Sequence, residues 1–496
     1  MREISIDIQY QNLVKDILET GSRRGDRTGT GTIGSFVKHL TFDLRDGLPA
    51  LNTKQVGIKS ALVETLWMFN LGESDTKFLD DNNVKIWDEW KCGTLSDEVV
   101  FVPQRLSEGH HPIVETGIEA KLPNSWKTDE NHNLAKLLVS LLRECYEEPN
   151  TGKQIHTDWQ TLERFIRDVK CLPNYELYRR DPTNYVLSLE YYRSNIYSIN
   201  TCIFLHKRDH ELYKGGRETY LPILNKDTGS LSLQIKYEDT TYSLFKQLLH
   251  PNEKILKNLN NAKGGFRHKL KYTIGNVYGS YIRGKGENQV DQISYIDNLL
   301  KTDITSRRIC MSTWEPKGIP DSSKSFAENV SNGKGVLAPC HSSFIQFYVE
   351  AKSAIDIQIE LKELGLSAEE LDEITFREAS EKYGINLLVL NAFTYQRSVD
   401  VGLGLPFNLM QISYLTSMFA HVNGMTAGKV NYTLGDVHIY NDHVEGLTEQ
   451  LSRTPLESYP KLILDPSVKQ FDDFNVDSFT IEGYKHQGKI YLPVST

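Results

Sequence analysis

The sequence predicts a mixed α/β fold, and three observations carry that prediction. Over residues 5–20, Tyr10, Leu13, Val14, Ile17 and Leu18 fall on one face, which is the spacing of a helix laid against a core. Two further stretches, 59–70 and roughly 411–423, are apolar enough to be buried helices. Between them stand β-prone runs, "IGSFVKHLTFDL" (33–44) and the aromatic end of "VLAPCHSSFIQFYV" (336–349). Helices interleaved with strands are the pattern of a layered domain with one shared core.

Taken in order, the first helix is stopped by Gly21, and "RGDRTGTGT" (24–32) alternates small and polar residues as a loop into the first strand. The 59–70 helix contains Glu64, an acid among apolar neighbours. In the 411–423 helix, Leu415, Met418, Phe419 and Val422 form one stripe and Gly424 closes it. Residues 352–386 read as a charged helical hairpin insertion, with Ser367 and Glu370 as a capping box at a helix start and Gly384 at its end. From about 93 to 272 the chain is richer in Asn, Lys, His and Tyr, and its periodicity weakens. No internal repeat or low-complexity tract stands out.

Composition bounds the function. The 496 residues carry a formal net charge of −9, with 24% charged and 39% hydrophobic residues, an ordinary globular profile. It argues against a generally basic nucleic-acid binder and leaves room for a local basic patch. No run approaches the roughly 18 apolar residues of a membrane span. The opening "MREISIDIQY" has no apolar signal core, so the expected location is the cytoplasm, a host cytoplasm if the chain is phage-encoded. The six cysteines are scattered without a CxxC pair. Neither a disulfide framework nor a metal site is expected.

Cys340 sits between Pro339 and His341, just before the aromatic run. It is either packing or a nucleophile held on a rigid strand; most cysteines are small buried hydrophobes. "SRRIC" (306–310) offers adjacent arginines, "YQRSVDVGLGLPFN" (395–408) an arginine, a serine, an aspartate and an asparagine among glycines, and "GDVHIYNDH" (435–443) a histidine and a tyrosine. Singly, each is a weak signal.

Together with "DRTGTGT" (26–32), "NNVKIWDEW" (82–90), "VYG" (277–279), "APCH" (338–341), "QFYV" (346–349) and "LSRTPLESYPKL" (451–462), these stretches occur in family order. On them the chain resembles thymidylate synthase and its sister pyrimidine hydroxymethylases. The resemblance implies a large twisted mixed sheet backed by helices, with sheets packed back to back in a homodimer. It implies a catalytic domain from 1–92 and 273–496, interrupted by an α+β lobe over 93–272. It also implies dUMP as substrate and 5,10-methylenetetrahydrofolate as the one-carbon donor.

The chemistry of that family explains the residue types. C5 of uracil is a poor nucleophile, and a thiolate adding at C6 makes C5 an enolate carbon that can attack an electrophile. By resemblance Cys340 supplies the thiolate, which needs cations nearby. Arg397 serves there and on the substrate phosphate, with Arg27, Arg307, Arg308 and Ser398 completing the clamp; guanidinium forks suit a phosphate. The "SRR" pair is implied to reach across from the other subunit. Asn408 matches the residue that reads N3 and O4 of the pyrimidine, where cytosine-specific relatives carry aspartate, so the expected base is uracil. His438 and Tyr440 resemble the pair that holds the deoxyribose hydroxyl, and Gln396 and His341 stand around the nucleotide. Asp400 matches the residue that hydrogen-bonds the pterin; Trp87, Trp90, Leu403, Gly404 and Phe407 match the apolar wall around the folate. Glu64 looks like the general acid/base, its pKa raised by burial. Tyr278 lies where the family has a tyrosine near C5.

The departures bear on the product. Where synthases read "VYGxQWR" this chain reads "VYGSYIR", with Ile282 in the tryptophan's place, and "TWE" (313–315) stands for their "AWN". One extra residue separates "APCH" from "QFYV", and the chain ends "PVST", with polar Ser495 and Thr496 where the lid is usually apolar. Hydride from the folate would give a methyl group; water would give a hydroxymethyl group, and the drier the closed site, the more the first wins. These wall and lid differences favour deoxyuridylate hydroxymethylase, serving phage DNA modification, over thymidylate synthase.

Within the insertion, "DWQTLERFIRDV" (158–169) and residues 174–205 faintly resemble HNH-type and homing-endonuclease-associated modules. His206 and His210 are too few for a convincing metal site, so a structural remnant is expected. A further reading is that the insertion contacts DNA or a replication partner through Lys207, Arg208, Lys214 and Arg217.

Overall fold

The computed structural model describes residues 5–25, 29–103, 129–146, 152–160, 162–190, 194–214, 220–224, 231–236, 264–284, 289–457 and 459–494. Its centre is a six-stranded mixed sheet in the order Ser22–Arg24, Thr32–Asp43, Thr426–Tyr440, Leu388–Asp400, Phe344–Ala351, Cys310–Met311. Neighbours are antiparallel except the central pair Leu388–Asp400 and Thr426–Tyr440, which run parallel. Parallel strands need a crossover, and helix Gly404–Val422 supplies it. Leu405, Leu409, Ile412, Leu415 and Phe419 on that helix are fully buried. Phe419 lies edge-on to Phe347 of the sheet, with centroids 5.2 Å apart, and 4.6 Å from Phe471. Helices Ile6–Thr20 and Ile58–Thr65 complete this core.

Three boundaries differ from the sequence expectation, each for a physical reason. The crossover helix starts at Gly404, well before residue 411. "GLPF" reads as a turn, but a proline in the first helical turn gives up an N–H that has no helical partner there. The 59–70 helix is α-helical only to Thr65 and continues as a π-turn, Leu66–Leu71, closed by Gly72 at φ 61°. The helical hairpin expected over 352–386 has three helices, the run from the Ser367 cap to Gly384 being two: Ala354–Glu363, Ala368–Glu373 and Phe376–Tyr383. Ser367 and Glu370 do form a capping box, but for the second helix; Thr375 and Glu378 form another for the third, which Gly384 ends. Gly365 at φ 94° breaks the run, and the pieces fold onto their own small core of Ile357, Leu361, Ala379 and Ile385.

Residues 92–273 leave and re-enter along an antiparallel ribbon, Cys92–Pro103 with Gly264–Thr273, in which Cys92 faces Thr273. Beyond it, helices Asp129–Tyr146 and Leu162–Lys170 and strands Tyr185–Ser188 and Ile203–His206 enclose a separate apolar core around Trp159, Phe165 and Phe204. His206 and His210 do not converge: His206 Nδ1 accepts from the Arg208 N–H at 3.2 Å, while His210 Nδ1 lies 2.9 Å from Ser188 Oγ. Lys207 and Arg208 are exposed on helix Lys207–Lys214. The Lys214 side chain and Arg217 lie outside the described residues. No helix among the described residues is long and apolar enough to cross a membrane.

Phe419 joins helix, sheet and the 471–474 turn, so Phe419→Ala should lower the free energy of unfolding by about 3–5 kcal/mol. Urea denaturation followed by circular dichroism checks this.

Candidate active site

Cys340 precedes strand Phe344–Ala351, at the point where the chain leaves the ladder with Leu388–Asp400. The Arg397 N–H donates to the Cys340 carbonyl at 3.0 Å, so backbone pairing continues past the strand end. Ser342 takes a left-handed φ of 53° in the stretch that holds the extra residue between "APCH" and "QFYV". The Arg397 side chain folds back over the loop: Nε donates to the Pro339 carbonyl at 3.1 Å and Nη2 lies 3.1 Å from Cys340 Sγ. Its other face covers the Trp314 ring, 5.4 Å from the centroid. A guanidinium against sulfur favours the thiolate. Burial pushes the Cys92 and Cys202 thiols up to about 12.

Gly435 makes room for this arrangement, because a Cβ there would come within 2.6 Å of the Arg397 carbonyl oxygen. Behind the cysteine, the Tyr278 hydroxyl accepts from the Cys340 N–H at 3.1 Å and the His341 N–H at 3.4 Å. Tyr278 itself sits at φ 34°, a conformation L residues rarely adopt.

A continuous hydrogen-bond chain runs from this loop through the core. His341 Nδ1 lies 3.0 Å from the Tyr432 hydroxyl, which donates to Gln396 Oε1 at 2.6 Å. Gln396 Nε2 donates to Asn408 Oδ1 at 2.8 Å, and Asn408 Nδ2 to Gln411 Oε1 at 2.9 Å. Gln411 Nε2 then donates to Glu64 Oε2 at 2.7 Å, and Trp87 Nε1 to Glu64 Oε1 at 2.7 Å. Tyr432 spends its proton on Gln396, so His341 Nδ1 is the donor and Nε2 accepts from Ser342 Oγ at 2.8 Å. Burial pushes His341 down to about 3, keeping the ring neutral. Burial pushes the Glu64 carboxyl up to about 7, against the lowering effect of the Trp87 bond. Asn408 keeps one N–H and one oxygen lone pair unspent in this chain, the pair that a uracil N3–H/O4 edge would take.

Asp400 caps the crossover helix, accepting from the amides of Gly402 at 2.9 Å and Leu403 at 3.3 Å. Burial alone would raise its carboxyl, but the His443 imidazole, 3.5 Å away, and these amides hold it below the usual range. Gly402 allows the approach, since a Cβ there would collide with the His443 ring. His443 Nε2 lies 2.7 Å from the Pro493 carbonyl, so residues 490–493 are seated on this corner, with Leu492 buried. The Lys54 ammonium donates to the Gly402 carbonyl from the other side.

Other expected residues fall around this centre. Trp87 and Trp90 meet edge-on at 5.9 Å, and with Leu403 and Phe407 they are partly buried against the core. Gly404 opens the crossover helix, and a Cβ there would lie 3.6 Å from Asn408 Oδ1. His438 faces Asp436 at 3.6 Å and packs edge-on to Tyr440. The Ser398 carbonyl accepts from Gln396 Nε2 at 3.0 Å. Arg307 and Arg308 are exposed on a turn, and among the described residues neither is paired with the Cys340 loop. Arg27, like Ser495 and Thr496, lies outside the described residues. The sequence reasoning missed Tyr432, Gln411 and His443. A glutamine three residues after Asn408 in an otherwise apolar stripe was the available signal for one of them.

Fold and site define a class, a mixed α/β protein with an arginine-paired cysteine at the sheet edge and a buried carboxyl at the far end of one hydrogen-bond chain. The family model for thymidylate synthase matches residues 8–496. Curated relatives include the thymidylate synthase of Listeria monocytogenes serotype 4b (strain CLIP80459), 26% identical over 491 residues, spanning 98% of this chain and 99% of the relative. The thymidylate synthase of Listeria innocua serovar 6a is also 26% identical, with the same coverage. The chain belongs to the thymidylate synthase family. Folate-dependent one-carbon transfer to C5 of dUMP is the chemistry of that family, with methylenetetrahydrofolate as co-substrate.

Two outcomes follow from the geometry. Arg397→Lys keeps a charge but loses the fork that spans Pro339 and the sulfur, so alkylation of Cys340 by iodoacetamide at pH 7 should slow on the order of tenfold. The Trp87 N–H stabilises the Glu64 carboxylate, so Trp87→Phe should move the Glu64 titration upward from about 7; infrared difference spectra of the carboxyl across a pH series read it.

Proposed function

We propose that this enzyme methylates dUMP to dTMP, consuming methylenetetrahydrofolate and releasing dihydrofolate. The Cys340 thiolate adds to C6 of the uracil, placing electron density on C5, which bonds to the donated methylene carbon. Glu64 and its hydrogen-bonded chain take up and return protons at the base, and Tyr278 stands by C5 while its proton leaves. Loss of tetrahydrofolate leaves an exocyclic methylene; hydride from the folate completes the methyl group, and the C6–sulfur bond breaks to free the thiolate. Asn408 reads N3–H and O4. Arg397, Arg27, Ser398 and the partner's arginines at the Arg307–Arg308 turn take the phosphate, and His438 and Tyr440 the deoxyribose. Trp87, Trp90, Leu403, Gly404, Phe407 and Asp400 hold the folate.

The observation that carries the chemistry is the 3.1 Å contact between Arg397 and the Cys340 sulfur, at one end of a satisfied chain that terminates on a buried carboxyl. The seating of residues 490–493 on His443 supports methyl over hydroxymethyl, because a closed corner beside Asp400 keeps water from the methylene. Two relatives named thymidylate synthase add to it. The hydroxymethylase reading is favoured by Ile282, buried where synthases carry tryptophan, and by Trp314, which is 38% exposed. Exposed Phe36, Tyr348 and Phe393 on the outer face of the sheet support a homodimer, and the separate core of the 93–272 lobe supports reading it as an insertion into a 1–92 and 273–496 catalytic body.

Incubation with dUMP and methylenetetrahydrofolate decides between the products. One dihydrofolate per nucleotide, seen as rising absorbance, with a mass gain of one methyl group is the expected result. A hydroxymethyl gain without dihydrofolate would establish the other reading, and unconsumed dUMP would defeat both.

A further inference from the structure

The inserted lobe touches the catalytic body at a point the reaction would feel. Helix Leu162–Lys170 turns Phe165, Ile166 and Val169 into the lobe's own core and presents Arg164 and Arg167 towards the body. Arg164 is anchored within the lobe: Nε donates to Asp168 Oδ2 at 3.0 Å, and the same oxygen accepts from Trp159 Nε1 at 3.0 Å. Its two terminal nitrogens reach across to Asp88 Oδ2, each at 3.5 Å. Arg167 pairs with Glu89. Asp88 is only 6% exposed, and its other oxygen takes the Lys91 ammonium at 2.8 Å.

Asp88 and Glu89 follow Trp87 directly, in a turn closed by the Trp90 and Lys91 amides on the Trp87 carbonyl, both at 3.1 Å. The indole they steer donates to Glu64. We infer that Arg164 and Arg167 are positioning residues: from the insertion they clamp the Asp88–Glu89 turn and thereby hold the Trp87 indole on the Glu64 carboxyl. The inference rests on the acid/base role proposed for Glu64.

The physics favours a lock rather than a mere surface contact. A planar guanidinium bonded on one edge to Asp168 and on the other to Asp88 sets the separation between lobe helix and turn. Lys91 still neutralises Asp88 when Arg164 is removed, so no bare charge is left in the turn; the cost falls inside the lobe, where Asp168, 2% exposed, keeps only the Trp159 N–H. An indole has one N–H, and a 2.7 Å hydrogen bond does not survive an ångström of drift. Misplacement on that scale, remote from the chemistry, costs rates tenfold to a hundredfold in order of magnitude.

The test compares the full chain with the Arg164→Ala/Arg167→Ala double variant, with Arg164→Lys, and with Arg179→Ala. Arg179 pairs with Glu176 on the exposed side of the same lobe. The double variant should lose on the order of tenfold or more in kcat. Its Glu64 limb should shift upward as with Trp87→Phe, since the groups facing Glu64 are Trp87, Gln411 and Tyr278, and only the first depends on the clamp. KM for dUMP should be little changed, Arg164→Lys should recover part of the rate, and Arg179→Ala should match the full chain. Amide exchange over 85–91 should speed up in the double variant alone. An unshifted pH limb, an unchanged kcat, or an equal loss in Arg179→Ala would overturn the inference. If the unaltered chain did not turn over dUMP, the reading of the reaction would fail on its own. Exchange over 85–91 would then judge the clamp, faster exchange in the double variant supporting it and unchanged exchange overturning it.

Discussion

The pairing of the Arg397 guanidinium with the Cys340 sulfur organises the catalytic half of this molecule. The half-buried Arg397 spends nitrogens on the Pro339 carbonyl and the sulfur and lays one face on Trp314. The backbone adjusts to let it. The ladder is prolonged by one bond from Arg397 to Cys340, Ser342 accepts a left-handed turn, and the neighbouring parallel strand passes with a glycine at residue 435. The loop is therefore held by several bonds without being a strand, and the half-buried Cys340 sulfur stands at its edge.

Running away from that edge is a polar line through an apolar core. Buried polar groups are costly unless each finds a partner, and a network that satisfies all its members gains rigidity and a preferred direction. In this one every proton from His341 to Glu64 points the same way. The neutral state of His341 and the high pKa of Glu64 share one cause, the scarcity of water, and they leave the carboxyl able to change charge near neutrality while the imidazole does not.

How much of this was legible beforehand depended on how local the information was. Gln396, Arg397, Asp400 and Asn408 share one string of fourteen residues, and Glu64 stands out as an acid in an apolar helix, so these were readable as chemistry before any fold was known. Gln411, Tyr432 and His443 were not, because each is an ordinary residue of a helix, strand or turn whose polar tip gains meaning only when sheet pairing and the crossover helix bring it to a partner. The helical hairpin over 352–386 is legible from its charged composition, but its breaks are not, because they lie in the backbone at Gly365 and in the Thr375 cap. Arg307 and Arg308 sit exposed within one chain, and a second copy is where their reading points.

The ribbon at the base of the insertion has its own consequence. Cys92 and Thr273 are direct neighbours across an antiparallel pair, so the main body sees the whole excursion as a doorway one strand-spacing wide. Beyond the ribbon, charged side chains tie the excursion to the rest of the molecule at two places: Arg164 and Arg167 on the Asp88–Glu89 turn, and Arg180 on Glu328.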